Sequence, residues 1–142
     1  MTVKQLSVFI ENRTGRLGEV LQVLKDSEVN IQSLSLADTT EYGLLRLIVD
    51  KPEIGKERLA AAGFSSMLTD VLIVRIPHNP GGLQTILKTV AEKNISVEYM
   101  YGLSIEKAEA YIVLKSSNPI KTQEVLKANG VETVSTDELL NS

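Results

Sequence analysis

The chain contains no cysteine, which excludes disulfides, thiol nucleophiles and thiolate metal sites. It has one histidine, His78, with no acidic residue beside it in sequence; it reads as polar turn surface rather than a catalytic group. Metal-ligating pairs of the His-x-x-x-His or Cys-x-x-Cys kind are missing, and so is the Gly-x-x-x-x-Gly-Lys-Ser/Thr phosphate loop. Tryptophan is absent, aromatic residues make up only 4%, and the net charge is −3. Nucleic-acid binders carry basic patches, often interleaved with aromatics, so that class is not expected. Met1-Thr2-Val3-Lys4-Gln5 has no apolar signal core, and no apolar run is long enough to span a bilayer. The expectation is a soluble cytoplasmic protein, without metal or cofactor and without membrane or nucleic-acid partners.

What the sequence does have is 43% hydrophobic residues over 142 positions, enough for one ordinary domain or two small ones. Two stretches organise them. Leu6 to Ile10 alternates as a strand and passes through Asn12-Arg13-Thr14-Gly15-Arg16 into a helical stripe of Leu17, Val20, Leu21 and Leu24. Asp70 to Ile76 alternates likewise and passes through Pro77 to Gly82 into a stripe of Leu83, Ile86, Leu87, Val90 and Ala91. Glycine permits the sharp turn from strand to helix. The helix start that follows offers N–H groups and the positive end of the helix dipole, so each turn is a candidate anion cradle.

The intervening segments complete two equivalent series. Val29 to Ala37 reads as a strand with a bulge near Ser33, Asp38 to Gly43 as a hairpin turn, and Leu45 to Val49 as a third strand. Pro52 opens a helix, Gly63 stops it, and Phe64 to Leu68 is a fourth strand. In the second series Ile95 to Leu103 and Ala110 to Lys115 are strands joined at Glu106-Lys107. Pro119 then opens a helix, Gly130 ends it, and Val131 to Val134 closes the series before a polar tail. Gly81 follows Gly15 by 66 residues, and at that offset Val8 meets Val74, Leu17 meets Leu83, Val20 meets Ile86 and Ile31 meets Val97. Pro119 follows Pro52, and Gly130 follows Gly63, by 67 residues. The chain is an internal duplication. The fold class expected is α+β: two ferredoxin-like βαββαβ units in tandem, residues 1–69 and 70–142, each an antiparallel sheet with its helices on one face. Only Thr69-Asp70 separates the last strand of one unit from the first strand of the next. The uncovered face is expected to carry Phe9, Ile73 and either Leu34 or Leu36, depending on the bulge, and so to seek a partner.

The element order, the strand–(Pro)-Gly-(Gly)-Leu–helix turn and the phrase Lys93-Asn94-Ile95-Ser96-Val97-Glu98-Tyr99 resemble ACT domains, small regulatory modules of amino-acid metabolism. The match covers essentially the whole chain as a tandem pair, without the enzyme domain such modules often regulate. It is closest from Asp70 to Tyr101. The first unit departs from it, with Arg13-Thr14-Gly15-Arg16 where a proline more often precedes the glycine. The resemblance implies a non-catalytic regulatory protein that binds an amino acid where ACT units meet, as a homodimer. Carried over residue by residue, it implies ligand contacts from Asn12, Arg13, Thr14, Gly15, Arg16 and Leu17, and from Ile31 and Gln32. In the second unit it implies Asn79, Pro80, Gly81, Gly82 and Leu83, with Ser96 and Val97.

Other readings stand beside this one. The glycine turns also serve as purely structural turns, with Arg13 and Arg16 as solvated charges. The chain would then be an interaction module docking a metabolic enzyme through its open sheet face. No catalytic constellation supports an enzyme. If one turn binds better, Arg13 and Arg16 favour the first, because a guanidinium fork suits a carboxylate.

Overall fold

The computed structural model of the chain describes residues 2–11, 13–38, 41–77, 79–106, 109–135 and 137–138. They divide into two compact units, Lys4–Thr69 and Asp70–Ser142, the latter grouped with Met1–Val3.

In the first unit, β1 (Val3–Glu11), α1 (Arg16–Asp26), β2 (Ile31–Asp38), β3 (Tyr42–Val49), α2 (Pro52–Ala61) and the start of β4 (Ser66–Pro77) follow in the expected order. The strands are arranged β2-β3-β1-β4, with β3 antiparallel to both β1 and β2. Alternation places Leu6, Val8 and Ile10 of β1 on the same face as Leu45 and Leu47 of β3. That face packs against Val20 and Leu24 of α1 and Leu59 of α2, forming one buried core. Both helices therefore lie on one side of the sheet.

The second unit repeats this plan. It contains the rest of β4, α3 (Gly82–Glu92), β5 (Val97–Glu106), β6 (Glu109–Ser116), α4 (Pro119–Ala128) and β7 (Glu132–Val134). Its order is β5-β6-β4-β7, antiparallel at each contact. Leu72, Val74 and Ile76 meet Ile86, Val90 and Leu126 in a second core.

The duplication extends to the backbone. Gly15 and Gly81 have φ of 87 and 84, Glu28 and Asn94 have 57 and 59, and Gly63 and Gly130 have 88 and 76. The bulge expected near Ser33 lies between Ile31 and Ser33, and its counterpart lies between Val97 and Tyr99.

Three expectations are corrected. No break occurs at Thr69-Asp70, because β4 runs through both residues as one strand. The bulge leaves Gln32 unpaired and reverses the alternation beyond it. Leu34 and Leu36 therefore face Leu47 and Leu45 on the core side, and stay about half exposed because β2 is the sheet edge. Ile73 is fully buried rather than open, flanked on its own face by the buried Val113 and Val134; Phe9 does stand exposed, at 48%. No helix among the described residues is long and apolar enough to cross a membrane.

Candidate functional site

Each first helix of a unit begins at a glycine in the left-handed region, Gly15 before α1 and Gly81 before α3. A side chain there would be strained, which is why both turns carry glycine. The turns close alike: the Arg16 N–H donates to the Arg13 carbonyl, as the Gly82 N–H does to the Asn79 carbonyl. The first helical bonds run from Glu19 to Gly15 and from Thr85 to Gly81. Upstream of them, the N–H groups of Leu17 and Gly18, and of Leu83 and Gln84, have no intrahelical acceptor. No side chain caps either helix. This leaves each helix start able to receive an anionic group.

The side chains around the two turns differ. In the second unit a cleft of about 460 Å³ opens beside the turn. Its walls are Arg75 and Pro77 of β4, the turn Asn79–Gly82, Thr85 and Ile86 of α3, and Asn129–Val131 after α4. The strand order produces this meeting, because β7 lies beside β4 and the loop entering β7 therefore sits next to the loop leaving β4. The volume falls within the roughly 300–1,000 Å³ of small-molecule sites. Gly82 is required by contact rather than by φ: a Cβ there would meet the Pro77 carbonyl at 2.6 Å. Arg75 pairs with Glu132 at 2.9 Å and lies 5.8 Å from the centre of the Tyr111 ring.

In the first unit the turn cations are held by neighbours. Arg13 Nε lies 2.9 Å from Glu11, and Arg16 Nη1 donates to Glu19 at 2.6 Å. The Arg16 guanidinium stacks over the Phe64 ring, with Cζ 4.2 Å from its centre. Arg16 Nε is buried there without a hydrogen-bond acceptor.

Of the residues expected to form the site, Asn79, Pro80, Gly81 and Gly82 line one cleft. Arg13, Thr14, Gly15 and Arg16 form the equivalent turn, while Asn12, like His78, lies outside the described residues. Leu17 and Leu83 pack against the two cores, as do Ile31 and Val97. Ile31 also lines a separate cleft of about 400 Å³ with Leu21, Leu24 and Lys25 of α1, one that includes none of the turn residues. Gln32 has a buried Oε1 with no partner. The Ser96 N–H donates to Ser117 Oγ at 3.1 Å, and neither Ser96 nor Val97 lines the cleft at the second turn. Sequence reasoning missed Thr85 and Asn129–Val131. Gly130 was visible as a helix stop and as the counterpart of Gly63, but only the fold carries it to the turn. Among the described residues, no group of three or more His, Cys, Asp or Glu is placed to hold a metal ion.

Two four-stranded α+β units, each with a glycine turn feeding its first helix, define a tandem ACT-type regulatory module. The profile of the family described as ACT domain pair matches residues 1–142, and the chain belongs to that family. ACT domains generally bind small molecules such as amino acids. Among solved structures, the chain is similar to protein BT0572 from Bacteroides thetaiotaomicron. The two are 36% identical over 94% of this chain and 92% of that one, with a TM-score of 0.90. It also shares its fold with the regulatory subunit of aspartate kinase from Thermus thermophilus, in a ligand-free form. There the identity is 14% over 88% of this chain and 90% of that one, with a TM-score of 0.64. The corresponding subunit from Thermus flavus is 15% identical over 86% of each chain, with a TM-score of 0.63. A comparison with curated protein sequences finds no match.

Proposed function

We propose that this protein is a non-catalytic cytoplasmic regulator that binds a free amino acid at its helix-start turns. The observation that carries the reading is the open cleft at Asn79–Gly82, directly beside the uncapped start of α3. A ligand carboxylate set against the N–H groups of Leu83 and Gln84 gains hydrogen bonds of about 1.5–3 kcal/mol each. A few of these approach the roughly 8 kcal/mol of a micromolar site before ordering costs. Membership of the ACT domain pair family favours the same reading, as do the names of the similar Thermus chains, which are regulatory subunits.

A thermal-shift panel of the twenty L-amino acids tests it. An amino acid at a hundred times its Kd adds about 2.7 kcal/mol of stability. A panel without any shift contradicts the proposal.

We propose further that the protein is a homodimer. Phe9 and Tyr42 share one sheet face of the first unit by register and are 48% and 58% exposed, an apolar patch suited to self-association. Light scattering reads the mass directly, and a monomer at micromolar concentration would count against it. The same patch supports the second reading, docking of a metabolic enzyme. A protein blind to all twenty amino acids that co-purifies with an enzyme would favour that alternative.

A further inference from the structure

We infer that the two units are not equivalent receptors: the second unit takes the amino acid in its open cleft, whereas the first is closed by its own Arg16. This rests on the reading of the turns as amino-acid sites. The duplication supplies the comparison position by position. Three residues around the second cleft are Gly82, Thr85 and Val131. Their counterparts at the offsets of 66 and 67 are Arg16, Glu19 and Phe64, and each is the larger side chain of its pair. In the first unit Arg16 binds both of the others. Arg16 covers the Phe64 ring at 4.2 Å and donates to Glu19 at 2.6 Å, with only 19% of its side chain exposed. A side chain of the protein thus occupies the position over Phe64 that corresponds to the cleft beside Val131.

The charges lead to the same conclusion. Arg13 and Arg16 look from the sequence like a clamp for a ligand carboxylate, yet each already holds a carboxylate of the protein, Glu11 and Glu19. A ligand would have to displace Glu19 and unstack a desolvated guanidinium, losing a cation–π contact that is stronger when desolvated. In the second unit the path to the helix start crosses Gly82 and Thr85, and Thr85 Oγ1 is turned onto the Gly81 carbonyl of its own helix. Arg16 is therefore a built-in occupant of the first site, and the amino acid stoichiometry is one per chain.

The test is a ¹H–¹⁵N NMR titration of the full chain with an equimolar mixture of the twenty L-amino acids. The amides of Gly81, Gly82 and Gly130 are expected to shift while those of Gly15 and Gly63 stay in place. Arg16→Ala is expected to make Gly15 and Gly63 respond as well, and Thr85→Trp to abolish the response of Gly81 and Gly82. Shifts at Gly15 and Gly63 in the wild type would overturn the asymmetry while leaving the amino-acid reading intact. A first unit still silent in Arg16→Ala would overturn Arg16 as the occupant. No shift anywhere would overturn the amino-acid reading and this inference with it. The wild type provides a ligand-free check: the Arg16 Nε–H resonance should be displaced by the Phe64 ring current and exchange slowly with water. A fast-exchanging, unshifted signal overturns the plug whatever the titration shows.

Discussion

The turns at Gly15 and Gly81 share nearly the same backbone, φ 87 and 84, and each starts a helix of 11 residues. Around the first stand Arg16, Glu19 and Phe64, with Arg16 held by the other two. Around the second stand Gly82, Thr85 and Val131, which leave a cleft. The comparison teaches that the scaffold and the site respond to different residues. The scaffold depends on positions where the backbone tolerates little else, and these recur in both halves. The surroundings of the turns differ in side-chain volume at a few positions where either choice folds.

The comparison breaks most visibly in the core. Leu59 of α2 and Leu126 of α4 are equivalent and fully buried. Truncating either to alanine is expected to cost about 2–5 kcal/mol in urea unfolding, since transfer and cavity contributions add. A cost below about 1 kcal/mol at one of them would show that the two cores are not equivalent. The turns come next. Gly15→Ala and Gly81→Ala each force a left-handed residue without glycine and should lose roughly 1–2 kcal/mol. Gly82→Ala should also destabilise, by about 1–3 kcal/mol, because its Cβ meets the Pro77 carbonyl at 2.6 Å. The equivalent Arg16→Ala strains no backbone and should lose its stacking on Phe64 and its pair with the exposed Glu19, about 0.5–2 kcal/mol together.

A graft between the halves has a smaller effect of opposite sign. Glu28 has φ 57 where the second unit places Asn94 at φ 59. Asparagine tolerates this region better, so Glu28→Asn is expected to stabilise by roughly 0.5–1 kcal/mol, read as a raised denaturation midpoint. The Lys51 ammonium donates to the Glu28 backbone carbonyl, a bond the substitution leaves in place. Smallest is Glu132→Gln. It breaks the pair with Arg75, but the Glu132 side chain is 65% exposed, so the loss should stay within about 1 kcal/mol and shrink further in high salt.

What was legible in the sequence follows the same division. Gly15, Gly81, Gly63 and Gly130 mark backbone conformations that few other residues adopt, and Pro52 and Pro119 mark helix starts, so the order of elements and the duplication could be read directly. The bulge was visible as a slip in alternation near Ser33. Its consequence was not, because one unpaired residue reverses the facing of everything beyond it and moves Leu34 and Leu36 to the core side. Thr69-Asp70 read as the two residues between separate strands, yet both fit an extended backbone and β4 continues through them. The cleft was only half legible. Asn79–Gly82 is local, whereas Asn129–Val131 reaches it through strand order. In the first unit, Arg16 meets a ring at Phe64 that no local pattern connects to it. Charge at the first turn favours the first half of the pair, whereas the inference above favours the second.

Isothermal titration with the amino acid giving the largest thermal shift tests the central claim most directly. One equivalent bound per chain is expected in the wild type and two in Arg16→Ala. Two equivalents in the wild type, or one that persists in Thr85→Trp and vanishes in Arg16→Ala, would contradict it.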